Sequence, residues 1–291
     1  MKDLSNENII HIKNNGIEYL QFRKLLEFSD VLKHAYVLKT TDDLIQKSSE
    51  FEYDFNINLK NISNKKYLAN IESYKTLCEN LGLDYENLIR PNQNHTNNIK
   101  IVESKINENK PDFNLTEYEN TDGLITNKKN IILSATNADC ILIQFFDPIK
   151  KVISNVHSGW KGTYQKISIV AVQKMIDTYD CDPKDILCFI YPSIRKCHFE
   201  VHKDVYDIFS NTFKDIGKAE EFIEEYKIVD GNQKWKIDTV LINKIILKNI
   251  GIKEENIFDS NICSVCNKDL IHSYRVEKEN YGLCSSIITL I

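Results

Sequence analysis

The sequence predicts one mixed domain of the α/β or α+β class. Short apolar runs rich in β-branched and aromatic residues recur along all 291 residues. Segments with apolar residues at three- and four-residue steps lie between them, and no linker, repeat or low-complexity run divides the chain into parts. A hydrophobic content of 42% and a charged content of 27% are those of a soluble globular protein. The net charge of −5 argues against general nucleic-acid binding, which leans on a Lys/Arg surplus. There is no apolar run near the roughly 20 residues of a membrane span, and the polar start Met1–Asn8 lacks a signal-peptide core. Eight cysteines in that setting read as thiols or ligands of a cytoplasmic protein, not as a disulfide framework.

Residues 1–60 carry the weakest pattern. Ile17–Phe22 and His34–Lys39 read as strands. Ser63 is placed to cap a helix running to about Leu81, with Tyr67, Ile71, Tyr74, Cys78 and Leu81 on one face and Gly82 as its stop. Pro91 puts His95 in an extended or loop segment before the run Ile99–Val102. Asp122-Gly123 is a turn signal ahead of short strands at Leu124–Thr126 and Ile131–Ala135. Ile141–Phe146 and Val152–Val156 flank a turn at Asp147-Pro148 and read as a hairpin, which sets Cys140 and His157 at one end of a sheet. A helix from Thr163 or Tyr164 to about Tyr179 follows, then a buried strand at Ile186–Tyr191. Residues 201–226 read as two helices, with Glu220, Glu221, Glu224 and Glu225 as a solvated face, and Lys236–Ile250 as a third. Ser286–Leu290 closes the chain as a strand.

Residue types leave several chemistries open. His95, Cys140 and His157 would give a catalytic zinc three protein ligands and an open fourth position. A Cys140 nucleophile activated by His157, or a buried thiol beside hydrogen-bonded histidines, fits the same residues. Cys263-Ser-Val-Cys266 is a C-x-x-C pair with no further ligands evident near it, so it reads as free thiols. Arg275 fits a surface cation or an anion clamp, and Asp238 a dipole partner in the first turn of its helix.

Ala138-Asp-Cys140 followed by His157-Ser-Gly-Trp-Lys-Gly162 resembles the paired signature of the YfiH family. That family is also described as laccase-domain or multicopper polyphenol oxidoreductases, and as purine nucleoside phosphorylases. Gln93-Asn-His95, Asp122-Gly123, Pro192-Ser-Ile194 with Cys197-His-Phe-Glu-Val201, Asp238 with Asn243, and Cys263 before Ser273-Tyr-Arg275 are similar to its other motifs, in the same order. The resemblance implies one α+β domain over 1–291, with central mixed β-sheets flanked by helices. It implies a Zn2+ ion, with Cu2+ as the older assignment, held by His95, Cys140 and His157. The implied activity is phosphorolysis of adenosine, inosine and methylthioadenosine, with adenosine deamination beside it. Purine nucleoside and phosphate are then the partners, and Lys161, Arg275 and amides at the following helix start are candidates for holding phosphate. Copper-dependent polyphenol oxidation and a Cys140–His157 amidase-like activity are the rival readings. The chain departs from the family pattern at Lys161 (usually Arg), Thr96 (usually Gly) and Leu283 (usually Arg).

Overall fold

The computed structural model describes residues 2–39, 64–113, 116–217, 219–229 and 231–291. Two large sheets face one another. The first has seven strands in the order Ile9–Asn14, Ile17–Phe22, Leu32–Val37, Cys284–Leu290, Ile132–Asn137, Leu88–Arg90 and Asp112–Phe113. The second has six, in the order Ile257–Asp259, Leu187–Ile190, Ile141–Asp147, Val152–Ser158, Gly123–Thr126 and Ile99–Ile101. Parallel and antiparallel pairs occur in both, so the sheets are mixed as expected.

Alternation along each strand builds the layers. In Ile141–Asp147, Leu142 and Phe146 join the core between the sheets, where they meet Leu20, Tyr36, Leu133 and Ile288. Ile141, Ile143 and Phe145 face the opposite way, against Val172, Met175 and Leu247 of the helices Ile167–Tyr179 and Thr239–Asn249. The outer face of the seven-stranded sheet is covered by the helix Asn64–Leu81 through Tyr74, Leu77 and Cys78. Ser63, expected as its cap, lies outside the described residues.

The inter-sheet core is not wholly apolar. Asn155 is fully buried and its Nδ2 donates to Leu133 O and Ser286 O, both at 3.0 Å, while Ser286 Oγ donates to its Oδ1 at 2.9 Å. Gln144 Nε2 donates to Ile287 O at 3.1 Å and its Oε1 accepts from Tyr191 OH at 2.8 Å. These side chains bond to backbone of the facing sheet, so they work only in one relative placement of the two sheets.

Three expectations change. The helix expected from Thr163 or Tyr164 begins at Trp160 and is two helices, Trp160–Tyr164 and Ile167–Tyr179, separated by Lys166 at φ +59°. Residues read as helical around Glu224, Glu225 and Lys236 are strands instead: Ile223–Val229 pairs with Asn232–Ile237, and Glu200–Val201 adds a third strand. Val229 pairs with Asn232 and Gly231 has φ +76°, so Asp230-Gly231 was the available hairpin signal. The last helix therefore starts at Thr239, and Asp238 caps it by accepting from Leu241 N at 2.9 Å. Among the described residues, no helix is long and apolar enough to cross a membrane.

Asn155→Leu removes the buried donors across the sheets and strands Ser286. It should cost about 1–3 kcal/mol by urea unfolding, whereas Glu225→Ala on the exposed strand should stay within about 0.5 kcal/mol.

Candidate active site

The strand Ile132–Asn137 belongs to one large sheet and Ile141–Asp147 to the other, so Ala138–Cys140 is the point where the chain crosses between them. The crossing is sharp: Asp139 has φ +82°. Asn137 Nδ2 donates to Cys140 O at 2.5 Å and to Pro192 O at 3.0 Å, and its Oδ1 accepts from Tyr36 OH at 3.0 Å. The antiparallel register sets Ser158 opposite Ile141 and His157 opposite Leu142, which brings His157 to the same sheet end as Cys140. The hairpin turn holds because Asp147 Oδ1 accepts from Ile149 N at 2.8 Å and Lys150 N at 2.9 Å.

His95 arrives from the loop before Ile99–Ile101. Gln93 pins that loop to the crossing strand: its Nε2 donates to Thr136 O and its Oε1 accepts from Thr136 N, both at 2.8 Å. His95 itself sits in the left-handed region, φ +58°, a conformation a histidine holds only when its surroundings enforce it. The enforcing group is Asp122, which is buried and accepts from the amides of Asn94 (3.2 Å), His95 (3.0 Å) and Thr96 (2.7 Å). Thr96, where the family pattern has Gly, adds its hydroxyl to the same carboxylate at 2.7 Å.

Asp122 also receives His157 Nδ1 at 2.8 Å. With Nδ1 carrying the proton toward Asp122, Nε2 is the ring atom left to serve Cys140 or a metal. Cys140 Sγ lies 3.7 Å from His95 Nε2, and one ligand atom from each of His95, Cys140 and His157 falls within 4.8 Å of the others. A Cβ on Gly159 would come within 2.7 Å of His95 Cδ2 and 3.2 Å of Cys140 Sγ, so this position is a glycine for want of space.

Burial alone would raise the Cys140 thiol, but the His157 charge and hydrogen bonds from both histidines outweigh it and bring it down to about 6. Burial likewise opposes the His157 cation, and the Cys140 and Asp122 charges override it, raising the ring to about 10. Burial works against Asp122 too, yet the His157 and Thr96 bonds hold its carboxyl below the usual range. In the metal-free site the groups thus form a thiolate–imidazolium–carboxylate row.

The row borders a cavity of about 920 Å³. Trp160, Phe199, Tyr274 and Tyr281 give it aromatic walls, and Arg90 and Arg275 line it as cations. Arg275 is positioned by its amide, which donates to Asp139 Oδ2 at 2.7 Å, and by Nη2, which donates to Glu200 O at 3.2 Å. Lys161 is exposed on the short helix, its Nζ 5.7 Å from the Trp160 ring centroid, and is not among the residues lining the cavity. Asp122 was legible as a turn residue and, with Gly123, as one of the family's motifs; its service as acceptor for two separate segments was not legible. Nor was the cluster Cys197, His198, Cys263 and Cys266, which supplies the neighbours that the C-x-x-C pair lacked in sequence.

The site and fold define a His/Cys centre at a sheet crossing under an aromatic, cationic cavity, and comparison with known proteins places it. The chain belongs to the multi-copper polyphenol oxidoreductase laccase family, whose model matches residues 46–291. The fold matches the crystal structure of Bacillus licheniformis YfiH, a hypothetical protein, with a TM-score of 0.79 at 21% identity over 97% of this chain and 99% of that one. YlmD from Geobacillus stearothermophilus matches with a TM-score of 0.77 at 19% identity, over the same shares. In sequence the chain is 27% identical to mouse purine nucleoside phosphorylase LACC1 over 223 residues, 75% of this chain and 47% of that protein. It is 26% identical to Bacillus subtilis purine nucleoside phosphorylase YlmD over 232 residues, 78% of this chain and 76% of that protein. The chain thus spans about half the length of the mammalian relative.

Metal-stripped protein should be alkylated by iodoacetamide at Cys140 as a thiolate, with a half-maximal rate near pH 6. The rate is full above that pH and falls below it, as the thiolate takes up a proton. His157→Ala removes the cation and should move the midpoint back toward 9, the ordinary thiol value; peptide mass spectrometry across pH reads both.

Proposed function

We propose that the chain is a zinc-dependent purine nucleoside phosphorylase, acting on adenosine, inosine and methylthioadenosine, with adenosine deamination as a second activity. The observation that carries the reading is the convergence of two imidazoles and one thiolate at an aromatic, arginine-lined cavity, in a chain similar to proteins named purine nucleoside phosphorylases. The donor set fits zinc: three N/S ligands, one imidazole oriented through its other nitrogen by a carboxylate, and space for a fourth ligand on the cavity side. His95, Cys140 and His157 would hold the ion, which when bound supplies a Lewis acid at the cavity floor. The eight cysteines are free, as suits a reducing cytoplasm.

Phosphorolysis breaks the C1′–N9 bond and joins a phosphate oxygen to C1′, with the bonding pair leaving on the purine. The aromatic walls offer faces to the base, and Arg275 offers a planar fork to two phosphate oxygens. Asp122 keeps the His157 proton on Nδ1 and fixes both histidines, so the site pays no reorganisation as substrate enters. Lys161, on the outer side of the short helix, acts on phosphate only through screened, longer-range attraction. A second reading is favoured by one observation: the Cys140, His157 and Asp122 row is also the arrangement of a cysteine hydrolase such as an amidase. Polyphenol oxidation with copper would instead consume oxygen and ignore phosphate.

Zinc-loaded protein given adenosine should release adenine and ribose 1-phosphate only when phosphate is present. Adenine release without phosphate, or oxygen uptake in place of phosphate use, sinks the reading; inosine formed without phosphate is the deamination. Arg275→Ala should raise the phosphate KM and lower phosphorolysis about ten- to hundredfold, the worth of a charge-assisted contact of about 1.5–3 kcal/mol. Lys161→Ala should lower it less than about threefold, as befits a screened charge.

A further inference from the structure

The loops that follow the strands Leu187–Ile190 and Ile257–Asp259 carry four ligand-type side chains outside the catalytic row. The two strands are parallel neighbours, with Cys188 opposite Ile257 and Ile190 opposite Asp259, so their loops leave the sheet side by side. The pairing persists beyond them: Ser193 bridges Cys263, Ser193 N donates to Ile262 O at 3.3 Å, and Ser264 N donates to Ser193 O at 3.0 Å. Cys197 and His198 of the first loop thereby meet Cys263 and Cys266 of the second, and their four ligand atoms all lie within 4.8 Å of one another.

The spacings are those of a coordination shell. A tetrahedron with Zn–S of about 2.3 Å and Zn–N of about 2.0 Å has S–S edges near ~3.8 Å and S–N edges near ~3.5 Å. Cys197 Sγ lies 3.6 Å from Cys263 Sγ, and His198 Nδ1 lies 3.6 Å from both Cys263 Sγ and Cys266 Sγ. A fourth edge, His198 Nδ1 to Cys197 Sγ, is 3.1 Å, and the two edges from Cys266 Sγ to the other sulfurs fall within 4.8 Å. No pair is bonded as a disulfide; all of these cysteines are free. The same Nδ1 faces all three sulfurs, which is a convergent geometry, not a chance row of thiols. Cys197 and Cys266 are exposed, so without an ion the cluster would be open to oxidation.

We propose that Cys197, His198, Cys263 and Cys266 form a second, structural zinc site. Three thiolates and one imidazole close the shell, so this ion keeps no position for substrate and serves as a clip. It joins segments 66 residues apart, both of which build the catalytic cavity: Phe199 and Glu200 follow one ligand pair, and Tyr274 and Arg275 lie beyond the other. Asp139, the neighbour of Cys140, is bonded to each segment, since its carbonyl accepts from Ile194 N at 2.8 Å and its Oδ1 from Ser264 Oγ at 2.5 Å. The inference stands apart from the nucleoside reading, because metal counts answer it without any activity.

Elemental analysis of the protein, purified under reductant with zinc and then desalted, should find two equivalents per chain. His95→Ala and Cys266→Ser should each retain one, and the double variant none. Cobalt loaded into His95→Ala, whose second site is untouched, should give the intense thiolate-to-metal charge-transfer absorption of three sulfur ligands. Should that variant fail to fold, the excess of this absorption in cobalt-loaded wild type over cobalt-loaded Cys266→Ser reads the same site. A His95→Ala count of zero, a Cys266→Ser count equal to wild type, cobalt without thiolate absorption, or a disulfide among these cysteines in the reduced preparation would each overturn the site.

Discussion

A single buried carboxylate holds the candidate active site together. Asp122 accepts three consecutive amides, one hydroxyl and one imidazole proton, and those donors come from the His95 loop and from the end of the hairpin strand. A carboxylate so placed is costly to desolvate unless its lone pairs are filled, and here they are. The same bonds that satisfy it force His95 into the left-handed region and fix the His157 tautomer. The placement of the two histidines and the local strain therefore share one cause.

The sheets supply the frame against which that carboxylate acts. Because the chain passes from one large sheet to the other at Ala138–Cys140, the thiol lies at a junction that neither sheet alone could place. Gln93 fastens the histidine loop to the same crossing strand, and Asn155 and Gln144 tie the two sheets face to face by bonding across the core. Displacing one sheet against the other would pull the Gln93–His95 loop, fastened to the first sheet, away from Cys140 and His157 on the second, and would empty the buried polar partners together. Packing and chemistry are thus coupled through the relative placement of the sheets.

Much of this was legible in the sequence where period and punctuation agree. The hairpin Ile141–Ser158 is rich in apolar β-branched and aromatic residues and is turned by Asp147-Pro148, so its strands and the shared end of Cys140 and His157 follow directly. The motif order pointed to the right family and brought in His95 from 45 residues away. The three-stranded sheet was missed because Ile223–Val229 is charged and exposed along most of its length, which erases alternation. Asp122 and the Cys197–His198 pair were seen as members of family motifs, but what they bind was missed for a different reason. Their partners are set by the crossing of sheets and by parallel loops, and neither leaves a spacing that a one-dimensional reading registers.

Asp122 is placed to organise a metal centre and not merely a folded loop. The most direct measurement is the zinc dissociation constant of Asp122→Asn, by competition with a chromophoric chelator, in the Cys266→Ser background so that a single site is titrated. Affinity should be about 10–100-fold weaker than in the matched protein with Asp122, with the circular dichroism spectrum preserved. Unchanged zinc affinity in that variant would contradict that role.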